Sequence, residues 1–177
     1  MRLKNLLPAP LLLLAGALNA QSLPVGCDTF SWDVADELAV LRTEPRPIIV
    51  SDGSPGSEVR IELGSFRRAI LRPQAEVRLA ARPGKPMLED DASGGLLTFR
   101  VPEDGRYRVS ITTGHWIDVV DNGQVVRSLD FQGRRGCPLV HKIVEYDLPA
   151  GRDLQLQFIG GAALESGVAI TRVRARK

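Results

Sequence analysis

Period-two alternation of apolar and polar side chains, broken at short intervals by glycine-bearing turns, most limits what this chain can fold into. Val59, Ile61 and Leu63 alternate with Arg60 and Glu62, and Tyr107, Val109 and Ile111 with Arg106, Arg108 and Ser110. Val144, Tyr146 and Leu148 form one side of another segment, and Leu154, Leu156 and Phe158 of the next. Leu96–Val101 and Val168–Val173 add two more strand candidates. A strand sends successive side chains to opposite faces, so each segment has one face to bury. Asp52-Gly53, Pro83-Gly84, Asp104-Gly105, Asn122-Gly123, Ala150-Gly151 and Gly160-Gly161 separate these segments. Asn122-Gly123 is the strongest hairpin signal, joining Ile117–Val120 to Val125–Leu129.

Many short one-faced strands require two sheets packed face to face. The expected fold is all-β, an antiparallel β-sandwich or jelly roll, with a small closed barrel as the alternative. One helical pattern interrupts it at residues 29–42. There Val34, Leu38 and Leu41, with Ala35 and Ala39, make an apolar stripe that Trp32 covers at its edge. Ser31 is the expected N-cap, Asp33, Asp36 and Glu37 put negative charge near the helix start, and Pro45 and Pro47 end it. With 177 residues, 44% hydrophobic and 25% charged, the chain can bury a core and has the balance of a globular protein. Disorder, a collagen-like chain, a disulfide-dense miniprotein and a polytopic membrane protein are excluded on those grounds. No composition break follows residue 21, so residues 21–177 are expected to form a single β-sandwich domain.

Residues 1–20 read as a secretory signal peptide. Arg2 and Lys4 precede an apolar run from Leu6 to Leu18, and small residues lead to cleavage after Ala20 or Ala17. The run is too short to span a bilayer comfortably and contains Pro8 and Pro10. A periplasmic or secreted location of the Gram-negative type is expected, with no integral membrane segment after cleavage. The whole chain carries 23 basic and 21 acidic residues, and both surplus positives lie in the leader. A charge-neutral remainder gives no general attraction for nucleic acid. Two cysteines, Cys27 and Cys137, are expected to close a disulfide in an oxidising compartment. The alternative is two free thiols, with Cys137 activated by Arg134 and Arg135.

Chemistry-bearing residues are few. No nucleophile elbow or phosphate loop occurs. Glu89-Asp90-Asp91 lacks the spaced oxygens of a calcium loop and reads as a solvated acidic turn. On a strand, Trp116 and Asp118 share the face opposite Ile117 and Val119. If the latter point inward, an outward Trp beside a carboxylate could stack and hydrogen-bond a sugar; alternatively Trp116 packs on the N-terminal helix near Trp32. The expected ligand-binding set is therefore Trp116, Asp118, His141 and Lys142, with a glycan or an envelope protein as partner. The two histidines, His115 and His141, suggest a second reading, a metal site that Asp118 and Glu145 would complete. As an ordinary alternative, both are surface histidines at strand ends.

Trp32-Asp33-Val34, Val77-Arg78-Leu79-Ala80, Pro83-Gly84-Lys85-Pro86 and Gly95-Leu96-Leu97-Thr98-Phe99 fall along the chain in a familiar order. So do Gly105-Arg106-Tyr107-Arg108-Val109, Trp116-Ile117-Asp118-Val119-Val120, Cys137, His141-Lys142 and the run Glu145 to Gly151. Together they resemble a group of small exported bacterial proteins without an assigned function, which automatic naming often labels homogentisate 1,2-dioxygenase. That label implies a non-haem iron enzyme holding Fe with two histidines and a glutamate, here His115, His141 and Glu145. No residue matches the motif around the iron of such enzymes, so the resemblance carries over no catalytic residue. The function expected first is an exported, non-catalytic β-sandwich with a ligand-binding or envelope accessory role. The alternative is the iron dioxygenase.

Overall fold

The computed structural model describes residues 23–85, 91–133 and 136–174. The signal-peptide segment, Glu89-Asp90 and Arg134-Arg135 lie outside the described residues. Two sheets pack as a sandwich. The first has the order β1 (Arg46–Ile49), β2 (Arg67–Ile70), β11 (Glu165–Arg172), β5 (Gly105–Ile111), β9 (Lys142–Leu148) and β8 (Asp130–Gly133). The second has the order β3 (Arg72–Pro73), β4 (Ser93–Phe99), β10 (Leu154–Gly161), β6 (Trp116–Asp121) and β7 (Gln124–Val126). All ladders are antiparallel except that between β1 and β2. One short helix, α1 (Ala35–Leu41), precedes them.

The alternation in the sequence decides which side chains meet. Tyr107, Val109 and Ile111 of β5, Val144, Tyr146 and Leu148 of β9, and Val168 and Ile170 of β11 point from the first sheet into the core. Leu97, Phe99, Ile117, Val119, Leu154, Leu156 and Phe158 meet them from the second. The Asn122-Gly123 turn forms as expected, with φ of 48° and 78°, the left-handed pair that a two-residue hairpin demands. Val59–Leu63 is not a ladder strand. It crosses the sandwich, bonding to β4 through Ile61 N–H to Thr98 O at 2.9 Å and Thr98 N–H to Val59 O at 2.7 Å.

Helix α1 lies on the outer face of the first sheet and is shorter than its pattern. Ser31 does not cap it. The Asp33 carboxylate accepts from Ala35 N–H at 3.1 Å, while Ser31 is engaged by the Gln132 side chain. Val34, Leu38 and Leu41 build a second apolar cluster with Val140, Ile143, Ala169 and the disulfide Cys27–Cys137. On the loop-entropy account, closing this separation of 110 residues limits the unfolded chain by roughly 4–5 kcal/mol. The bond also indicates an oxidising, extracytoplasmic setting.

Glu37 is where the sequence reading needs correcting. It falls at i+3 from Val34, on the apolar stripe, and is buried rather than solvated at the helix start. Beneath it, β5 places Arg108 on the outer face, in register with Glu145 of β9 and Thr171 of β11. Arg108 Nε lies 2.9 Å from Glu145, and its Nη1 lies 3.5 Å from Glu37 and 2.7 Å from the Asp33 carbonyl. The guanidinium also lies 4.6 Å from the Trp32 ring centroid, and Thr171 donates to Glu37 at 2.9 Å. Removing one partner of a buried ion cluster leaves the others uncompensated. Arg108→Ala is therefore expected to lower the unfolding free energy by about 3–5 kcal/mol in urea titration. Replacing Arg108, Glu37 and Glu145 together by Met, Leu and Leu should recover most of that loss.

Candidate functional site

A cavity of about 230 Å³ opens at one edge of the sandwich, where the β6–β7 hairpin faces β8 and β9. Trp116, Asp118 and Lys142 of the expected binding set line it together. Ile117, Val125, Val126, Val144, Tyr146 and Phe131 supply its apolar wall. His141 does not reach the wall. It precedes β9, with its ring Nε2 3.8 Å from the space a side chain on Gly114 would take.

Asp118 is not an exposed carboxylate. Residues 81–84 lie over it and leave it 4% exposed. Its Oδ1 accepts from Trp116 Nε1–H at 2.8 Å, and its Oδ2 from Gly84 N–H and Gln157 Nε2–H, both at 3.1 Å. Register explains this arrangement, because Gln157 of β10 is the ladder partner of Asp118. The same Gln157 amide pairs with the N–H and carbonyl of Ala81, as a backbone would, and fastens the covering loop to the sheet. A Cβ on Gly84 would sit 3.2 Å from the Asp118 carboxylate, so glycine permits the close approach. Asp118 thus orients the indole and holds the loop.

Trp116 therefore packs neither on α1 nor on Trp32, which lies on the other sheet under the helix. Its ring is flanked by two ammonium groups, Lys142 Nζ at 5.5 Å and Lys85 Nζ at 6.0 Å from the centroid. Burial lowers the Lys142 pKa to about 8; Asp118 opposes the shift and Lys85 adds to it. Among the described residues Lys142 has no salt-bridge partner. The Tyr146 phenol, buried and near the Asp118 charge, is held above its ordinary range.

His115 is fully buried, not a surface histidine. Its Nε2 lies 2.9 Å from Ser93 Oγ and its Nδ1 2.7 Å from Thr113 Oγ1, whose hydroxyl donates on to Ser166 at 2.7 Å. The Gly160-Gly161 pair makes room for the ring, since a Cβ on Gly161 would stand 2.4 Å from it. A serine beside a neutral imidazole is the start of a nucleophile–base pair. Here Ser93 and His115 are both 0% exposed, so the pair is enclosed in the protein.

The donor set for iron does not assemble. Glu145 is on the outer face of the first sheet, held by Arg108 at 2.9 Å and Arg106 at 3.6 Å. Both ring nitrogens of His115 are occupied inside the second sheet. Among the described residues no group of three or more His, Cys, Asp or Glu could hold a metal ion. A larger hollow of about 470 Å³ beside α1 is lined by Asp36, Arg108, Arg172 and Arg174, whose charges pair with protein partners.

Sequence reasoning missed Ser93, Gln157, Lys85 and Phe131. Only Lys142 carried a readable signal for its direction: it stands two residues before Val144 on the inward parity of β9.

Burial, then the Lys142 charge, lowers the His115 pKa to about 4 in the folded protein. An unfolded histidine binds its proton near pH 6.5, so acidification from 6.5 towards 4 protonates the unfolded chain first. The fold should lose up to about 1.4 kcal/mol per pH unit across that window. Melting temperatures measured from pH 7 to 4.5 should fall, and His115→Gln should flatten the fall.

Compared with known proteins, the chain matches no family model, no curated protein and no solved structure.

Proposed function

We propose that this chain is an exported, non-catalytic β-sandwich that binds a ligand in the cleft between the β6–β7 hairpin and β8–β9. Trp116 and Lys142 make the contacts, and Asp118 holds Trp116 in place. The observation that carries the reading is an ammonium without a carboxylate partner among the described residues, set beside an indole in a cavity walled mainly by apolar side chains, with Arg127 and Ser128 also in its lining. Concave, largely apolar sites with a few convergent polar groups are where proteins hold small ligands. Phe131, 65% exposed, stands at the mouth and widens the apolar surface a ligand or an envelope partner would meet. Export accords with the disulfide and with the leader-like residues 1–20. A non-catalytic role accords with the enclosure of Ser93 and His115 and with the dispersal of His115, His141 and Glu145.

Amide chemical-shift mapping tests the site. Chito-oligosaccharides, small alcohols and small carboxylates are titrated in turn into labelled protein. At least one class should move residues 116–118, 125–131 and 142–146 together, in a saturable way. Shifts confined to the hollow beside α1, or no saturable shift from any class, would overturn the cleft as the site. Metal analysis of protein purified from the periplasm should find no stoichiometric iron. Stoichiometric iron that disappears in His141→Ala would instead establish the oxygenase reading.

A further inference from the structure

We infer that the cleft selects a small monocarboxylate with an apolar body, the carboxylate meeting Lys142 and the body lying against Val125, Val126, Val144 and Phe131. This deepens the reading of the cleft as a ligand site and rests on it.

Charge comes first. Asp118 is the carboxylate in the wall, and both its oxygens already accept N–H groups from Trp116, Gly84 and Gln157. Lys142 and Lys85 stand 5.5 and 6.0 Å from the same indole, and neither has a salt-bridge partner among the described residues. Lys142 and Arg127 line the cavity and Lys85 stands beside the same indole, so the site holds more positive than negative charge. An anionic group placed against Lys142 would favour its charged form and form a charge-assisted hydrogen bond away from bulk water.

The wall then narrows the class. A sugar needs many hydrogen-bond partners, and each hydroxyl buried without one costs about 1–3 kcal/mol. Beyond Lys142, the wall is built mainly of valines and aromatic rings, with Arg127 and Ser128 its further polar groups and Asp118 already saturated. The Tyr146 hydroxyl points to the Ile117 carbonyl, at 3.5 Å. A phosphate has more acceptor oxygens than a carboxylate for the few polar groups of this wall to satisfy. A carboxylate needs fewer. Size sets the last limit. A dry cavity of about 150 Å³ takes benzene, so about 230 Å³ takes roughly nine non-hydrogen atoms, the scale of a short fatty acid or an arylacetic acid.

Calorimetric titration tests this with phenylacetate and octanoate against 2-phenylethanol and octan-1-ol, which keep the body and remove the charge. The acids should bind at least tenfold more tightly than their alcohols. Lys142→Met should bring each acid down to the level of its alcohol and leave the alcohol unchanged. Phe131→Ala, at the exposed mouth, should weaken both by a similar factor. Lys142→Gln provides a second variant should Lys142→Met lower the melting temperature. Alcohols that match or exceed the acids would overturn the carboxylate assignment and leave the cleft as a site. Acid binding untouched by the Lys142 and Phe131 variants would place it elsewhere and overturn the inference. No binding by any of the four compounds would overturn the inference as well. If the shift mapping is equally silent, the cleft fails with it.

Discussion

A guanidinium placed beneath a helix must find its counter-charges inside the protein, and Arg108 sets that condition for the first sheet. Isolated, it would be too costly to bury. Its partners come from three parts of the chain: Glu37 from α1, Glu145 from β9, and the Asp33 carbonyl at the helix entry. A one-residue slip between β5 and β9 would send Arg108 or Glu145 to the apolar side. The network therefore fixes register as well as the position of the helix. The Cys27–Cys137 bond anchors the segment leading into that helix to the loop before β9. The Trp32 ring lies over the guanidinium.

The second sheet is covered in a different way that obeys the same rule. Its outer face carries Asp118 and Gln157, and a loop without regular structure lies over them, held by side chains that imitate a neighbouring strand. Each outer cover thus depends on a buried polar group with satisfied bonds. The cleft lies where neither cover extends, at the edge formed by β6, β7, β8 and β9. Its ammonium is left over after the structural carboxylates have been used.

Much of the architecture was legible in the sequence, since a two-residue period with glycine turns admits few alternatives. β5, β6, β9, β10 and β11 follow their alternation closely. β1, β2, β3 and β8 were not legible. They are short, include Pro47 and Pro73, and carry no run of alternating apolar residues. The site was legible in part. Trp116, Asp118 and Lys142 converge, but the sequence suggested an exposed Trp–Asp pair, and burial of Asp118 depends on a loop more than thirty residues upstream. Glu37 misled for a related reason: a carboxylate near a helix start has a sufficient local explanation, so its role beneath the helix leaves no local trace. His141 and Glu145 are four residues apart and still lie in different environments, because His141 precedes β9 and its ring lies by Gly114, while Glu145 sits within the strand under Arg108.

The position of β11 bears on when the chain can fold. It sits between β2 and β5, hydrogen-bonded to both. Until residues 165–172 are in place, the first sheet is two separate pieces and Ala169 and Thr171 are missing from beneath the helix. The pairings that close the sandwich span most of the sequence, and such topologies form slowly. A growing or threading chain would therefore hold no stable core through most of its length. Strand order thus ties the closing of the first sheet to the arrival of its last strand.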